Sequence, residues 1–199
     1  MTAPDREISE WITDLAGECS FVDDVMSLLA TDFFVPVSIS LVMLFLWFGA
    51  SDPVQRVKNQ YGVMCGAASL GIACGVVAIF NANVEMWPRP FEEDGGIREV
   101  ANTIFYTPHD PSFPANLAAI AFGAAMGVWI YNRKASIPIF LLGALWAISR
   151  VYAGVHYPLD ILGGAASGIV SAFFSYGLLK IFWPLPKIGL WLGRKVYVA

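Results

Sequence analysis

Five stretches of this chain run for about a bilayer's thickness on apolar and small residues: 33–50, 61–80, 114–131, 135–149 and 161–183. A helix needs roughly 20 such residues to cross the hydrocarbon core of a membrane. In lipid, only helices and closed barrels leave no backbone group unpaired. The blocks do not alternate apolar with polar residues, as barrel strands must. The expectation is therefore an all-α polytopic membrane helical bundle. Composition agrees, with 57% hydrophobic and 14% charged residues, against about a quarter charged in soluble domains. The block 135–149 is short, so it is expected to extend into its flanks or to sit beside thinned bilayer. Residues 8–30 read as an amphipathic helix that Gly17 can split, lying in the interface or capping the bundle. This gives six helices in a single domain, 1–199, with one long loop at 82–113.

Charge orients the bundle. The joins 51–60 and 132–134 and the tail from Lys180 hold eight of the twelve basic residues, but only Asp52 of the sixteen acids. The positive-inside rule then places the C-terminus in the cytoplasm, with the N-terminus and the 82–113 and 150–160 segments outside. The expected location is a membrane with one face toward the cytoplasm. The basic residues follow this topology and suit no nucleic acid. Cys19, Cys65 and Cys74 have no paired spacing, which predicts neither a disulfide framework nor a metal site. No metal and no cofactor is expected.

Three distant outward segments concentrate polar chemistry: Trp87-Pro88-Arg89-Pro90-Phe91, Asp110-Pro111-Ser112-Phe113-Pro114-Ala115-Asn116, and Ser149-Arg150 followed by His156-Tyr157-Pro158-Leu159-Asp160. Together they offer guanidiniums, a hydroxyl, an imidazole beside a carboxylate, and a helix N-terminus at Pro114. Guanidiniums bind phosphate oxygens as a fork, and a helix N-terminus adds backbone donors. Pro158 suits a first helical turn. That puts Asp160 near His156, where a carboxylate can hold the imidazole with one nitrogen free to attack.

Ser149, Arg150, His156 and Asp160 complete the pattern Ser-Arg, five residues, His, three residues, Asp. On this motif, and on the wording of VYAGVHYPLDILGGAASG and ITDLAGECSFVDDVMSLLA, the chain resembles the type 2 phosphatidic acid phosphatase (PAP2) superfamily, and within it the bacterial undecaprenyl-diphosphatases. The resemblance covers about residues 10–180 and implies a PAP2-like six-helix core: the five spans plus the N-terminal helix. It implies that His156 attacks phosphorus to form a phosphohistidine and that Asp160 orients it. Arg89, Ser149 and Arg150 would hold the phosphoryl oxygens, with Asn116 beside them, and the mechanism uses no metal.

The sequence also departs from the family pattern. The first motif asks for a lysine seven residues before Arg89, and Ala82 stands there. The second asks for Pro-Ser, one residue, His, and Pro114 is followed by Ala115, Asn116 and Leu117. Leu117 thus replaces the leaving-group acid, a loss of roughly 10²–10⁴ in rate. His109, in the same loop, is the candidate displaced acid. A diphosphate expels a phosphate, which leaves without a proton far more readily than an alkoxide. Surviving activity is therefore expected on diphosphates first. The three losses favour a homologue that is non-catalytic or weakly catalytic, binding lipid phosphate or serving as a membrane-complex subunit. The alternative is an active polyprenyl-diphosphate or phospholipid phosphatase. The expected partners are lipid phosphate or polyprenyl diphosphate, membrane lipid, and a membrane-protein partner or a second copy in a homodimer. Glu92, Glu93, Asp94 and Glu99 make the outward loop acidic, which suits a ligand arriving from lipid better than one arriving from water.

Overall fold

The computed structural model describes residues 3–83, 87–93, 97, 99–101, 108 and 110–195. Among the described residues the elements are helical and no strand occurs: α1 Ala3–Thr13, α2 Ser20–Ala30, α3 Phe34–Phe48, α4 Pro53–Asn83, α5 Pro90–Glu93, α6 Asn116–Tyr131, α7 Arg133–Tyr152, α8 Pro158–Ile181 and α9 Pro184–Lys195. Three of them, α4, α7 and α8, are individually long and apolar enough to cross a membrane. The pair α2–α3 adds a fourth if it counts as one span bent by 63°. The remaining apolar helix, α6, has 16 residues and spans about 24 Å.

The expected blocks all became helices, with shifted ends. The second extends from 61–80 to Pro53–Asn83, and the short fourth grows at both ends to Arg133–Tyr152. The 8–30 segment is two helices, parted near Gly17, whose φ of +89° is open to glycine but strained for other residues. Helix starts follow local chemistry: the Asp52 carboxylate accepts from Gln55 N at 2.8 Å, and the Asn132 side chain accepts from Ala135 N at 3.2 Å. The segment after Lys180, expected as a basic tail, contains α9, with Pro186 and Leu190 buried and Ile188, Trp191 and Leu192 exposed.

Helix α6 is the axis of the bundle, packed by α4, α7 and α8. Its small residues let backbones touch. A Cβ on Gly127 would stand 2.5 Å from the Gly66 Cα of α4, and one on Gly168 of α8 would run into the Ala119 backbone. Close approach of this kind is what holds helices together where lipid removes the hydrophobic drive. Around α6, buried Val35, Ile39 and Met43 of α3 join Ala121, Ala124, Val128, Ile139 and Trp146 in one cluster. Leu41, Phe45, Leu162, Val170 and Phe173 remain exposed on the flanks, as lipid-facing residues do.

The N-terminal helices are tied to one end of the bundle. The buried Asp5 carboxylate accepts from Leu159 N at 3.0 Å, in the first turn of α8. The Tyr152 hydroxyl at the end of α7 donates to Asp23 Oδ1 at 2.6 Å. That end also carries the three polar segments.

Candidate active site

The site is organised by the turn between α7 and α8. Helix α7 ends in Arg150-Val151-Tyr152, and Gly154 then takes a φ of +66°, the left-handed step that commonly stops a helix. Val155 N and His156 N both donate to the Arg150 carbonyl, at 3.0 and 3.4 Å. The reversal places His156 between the last turn of α7 and the first turn of α8. Pro158 opens α8, and the Asp160 Oδ2 accepts from Tyr157 N at 2.8 Å. The Ser-Arg/His/Asp spacing is therefore a helix end, a reversal and a helix start.

The other two segments are pinned onto this turn. Arg89 donates through Nε to the Asp110 carbonyl at 2.9 Å and through Nη1 to the Val155 carbonyl at 2.9 Å. Ser112 N donates to the Trp87 carbonyl at 3.1 Å, and Ala115 N to the Asp160 carbonyl at 3.0 Å. Arg89 is thus a three-loop staple as well as a cation.

His156 is buried. Its Nε2 lies 3.3 Å from Arg89 Nη1. A guanidinium can only donate, so Nε2 accepts and the ring proton sits on Nδ1. Nδ1 faces Ser112 Oγ at 3.5 Å and Asp160 Oδ2 at 3.7 Å, both longer than a good hydrogen bond. The Ser112 hydroxyl, fully buried, donates to Asp160 Oδ2 at 2.5 Å. The Asp160 carboxylate is therefore held by two donors, Ser112 and Tyr157 N, beside the imidazole. Burial pushes the His156 pKa below its ordinary value, and Arg89 and Arg150 push the same way, against the hydrogen bond and charge of Asp160. The ring is kept neutral, with a lone pair on Nε2. Burial likewise lowers the Arg89 pKa, opposed by Asp110.

A cavity of about 170 Å³ opens at this point, lined by Asp32, Arg89, Pro108, Asp110, Asn116, Leu117, Arg150 and His156. It brings together Arg89, Arg150, His156 and Asn116. The Asn116 side-chain oxygen is buried without a hydrogen-bond partner among the described residues, so it can accept from a ligand. Ser149 is turned away: its hydroxyl donates to the Trp146 carbonyl at 2.8 Å within α7. Leu117 puts an isobutyl group on the cavity wall and packs against the core. Ala115 is buried next to it, and Ala82 is exposed near the end of α4. His109 lies outside the described residues. Helix α6 begins at Asn116, two residues after the expected Pro114.

Three participants had not been assigned from the sequence. Ser112 lies in the Asp110–Asn116 segment, where its position alone implies no role. Asp32 meets Arg150 as an ion pair, and Asp110 meets Arg89 Nη2 at 3.0 Å. Asp110 followed the same loop as Ser112, whereas nothing in the local sequence links Asp32 to a position 118 residues away. Among the described residues no group of three or more His, Cys, Asp or Glu could hold a metal ion. A larger apolar groove of about 470 Å³ between α3 and α4 shares no residue with the site.

Comparison with known proteins bears on this arrangement. Residues 62–183 match the family model described as the PAP2 superfamily. The undecaprenyl-diphosphatase BcrC of Bacillus subtilis (strain 168) is 27% identical over 179 residues, covering 89% of this chain and 86% of that protein. The putative undecaprenyl-diphosphatase YbjG of Escherichia coli (strain K12) is 27% identical over 170 residues, covering 85% and 74%. Among solved structures, Aquifex aeolicus LpxE has a TM-score of 0.56 at 21% identity, over 88% of this chain and 96% of the other. The PAP2-type phosphatidylglycerolphosphate phosphatase of Bacillus subtilis has a TM-score of 0.56 at 19% identity, over 89% and 85%.

Proposed function

The chain belongs to the PAP2 superfamily of membrane phosphatases, and we propose that it cleaves the diphosphate of a membrane lipid, a polyprenyl diphosphate by preference, through a phosphohistidine on His156. The observation that carries this reading is the buried His156 ring, which lines the cavity with Nε2 3.3 Å from Arg89 Nη1 and Nδ1 toward Ser112 and Asp160. In the reaction Arg89 Nη1 exchanges His156 Nε2 for a phosphoryl oxygen, and the freed Nε2 lone pair forms a bond to the terminal phosphorus while the bond to the bridging oxygen breaks. The lipid monophosphate departs with that electron pair and needs no proton. Water then attacks the phosphohistidine, its oxygen going to inorganic phosphate and the Nε2 lone pair being restored. Arg89 and Arg150 stabilise charge on the transferred oxygens, and Asn116 can accept from a protonated phosphoryl oxygen. The site acts on the outer face of a bacterial cytoplasmic membrane, with the C-terminus inside, on the strength of the basic joins at the opposite end.

A second reading has its own support. Leu117 and Ala115 remove the acid and a hydroxyl from the cavity, which favours a site that binds lipid phosphate without cleaving it. Phosphate release from a polyprenyl diphosphate by the purified protein in detergent separates the two. We expect slow release that disappears in His156→Ala. Release no greater than that variant's, with the lipid still bound, would leave only the binding reading.

A further inference from the structure

Both guanidiniums of the cavity already hold a carboxylate. Arg150 Nη2 meets Asp32 Oδ1, and Arg89 Nη2 meets Asp110 Oδ1 at 3.0 Å. The arginine side chains are 3% and 2% exposed, while the two carboxylates are 49% and 65% exposed. Each pair is thus a buried cation facing an acid at the mouth of the site. The acids come from separate elements. Asp32 sits in the bend between α2 and α3, and Asp110 in the loop before α6. Both line the same cavity as His156 and Asn116. A carboxylate offers a guanidinium the same two-oxygen edge as a phosphate, with less charge. Among the described residues that line the cavity, the two guanidiniums Arg89 and Arg150 are matched by the two carboxylates Asp32 and Asp110.

We propose that Asp32 and Asp110 are resident competitors for the phosphoryl position, and that they keep the site from filling with free inorganic phosphate. This rests on the phosphate-binding reading above. A phosphate in water must displace two carboxylates from the guanidiniums, with no apolar contact to compensate. The same group on a lipid is confined to the membrane beside the mouth, so its effective concentration is raised and its chain adds apolar contact. The lipid tolerates a penalty that drives the soluble anion off. For a hydrolase this has a direct use, because the inorganic phosphate released in the cavity is displaced by the enzyme's own acids.

The test is equilibrium dialysis of the purified protein in detergent against radiolabelled inorganic phosphate, and separately against radiolabelled dodecyl phosphate in the micelles. The forms compared are wild type, Asp32→Asn, Asp110→Asn, the double variant, Asp32→Glu and Arg150→Ala. We expect inorganic phosphate to bind each single Asn variant about three- to fivefold more tightly, as for partly exposed ion pairs, and the double variant more tightly still. Asp32→Glu should match wild type, and Arg150→Ala should lose both ligands. Equal or weaker phosphate binding in the Asn variants, with dodecyl phosphate still held by wild type and lost in Arg150→Ala, overturns the competitor role alone. Failure of every form to bind either ligand overturns the phosphate-binding reading itself. An unchanged thermal melt of the Asn variants ensures that the comparison is between folded proteins.

Discussion

Leu117 stands on the wall of a cavity that His156 also lines, with burial disfavouring the charged form of its imidazole. A nucleophile without its acid partner makes leaving-group quality decisive. Replacing Leu117 with His should raise cleavage of a lipid monophosphate by roughly 10²-fold, while changing diphosphate cleavage much less, because a positioned acid contributes about 10²–10⁴ where a proton is needed. The ratio of the two initial rates is the measurement. Ser112 acts one step behind His156, since its 2.5 Å bond holds the carboxylate that faces Nδ1. Ser112→Ala should cost about tenfold in kcat with KM little changed, as expected when a donor to a charged group is removed, and steady-state kinetics on a polyprenyl diphosphate separate the two constants. The pH profile follows from His156. Burial holds its pKa below the ordinary 6.5, so the nucleophile is still neutral at 6.5 and protonates only at lower pH, and the acid limb of the rate should lie below 6.5. Stability follows the same sign. Between the lowered folded value and 6.5 the unfolded chain binds the proton and the folded chain does not. That contribution is therefore complete above 6.5 and declines as the pH falls beneath it. Denaturation midpoints of wild type and His156→Ala across that window check it.

At the scale of elements, the apolar helices were legible because lipid imposes one rule on all of them, a helix of apolar residues with its backbone paired, although only three, or four with the bent α2–α3 pair, of the five expected spans are long and apolar enough to cross. Their ends were less so, since Asp52 and Asn132 start α4 and α7 by single hydrogen bonds inside stretches that hydropathy scores as joins. Helix α9 escaped because its basic residues read as topology and its apolar face as a tail. In the site, the Ser-Arg/His/Asp spacing was readable because a helix end, a glycine reversal and a helix start have fixed geometry. The inward turn of the Ser149 hydroxyl was not, because only the local helix carbonyl decides it. The Asp32–Arg150 pair depends on packing of α2 and α3 against α7, which no local pattern encodes. The reversal gives a prediction of its own. Gly154→Ala would add a Cβ at φ +66° in contact with Ile97. We expect a loss of at least about 1 kcal/mol, read as a lower melting temperature in detergent, together with loss of phosphate release as His156 moves.

The molecule as a whole separates into a bundle and a site end. The described helices α4, α6 and α8 meet through glycine and alanine backbones, while Arg89 and Ser112 gather the loops above them. Gly127→Val should therefore destroy the folded protein, because the added Cβ meets the Gly66 backbone at 2.5 Å, and a monodisperse peak on size exclusion in detergent would disappear. Leu117→His, by contrast, should leave that peak intact. The difference reaches past any single variant. Since the helices grip one another at Gly66, Gly127, Ala119 and Gly168, their association does not pass through the polar groups of the cavity. A lineage built on such a frame can exchange a lysine, a serine or a histidine at the pocket without forfeiting its architecture. Hydrolysis can thus fade, shift to another headgroup or return by a few substitutions, with the bundle a constant beneath it.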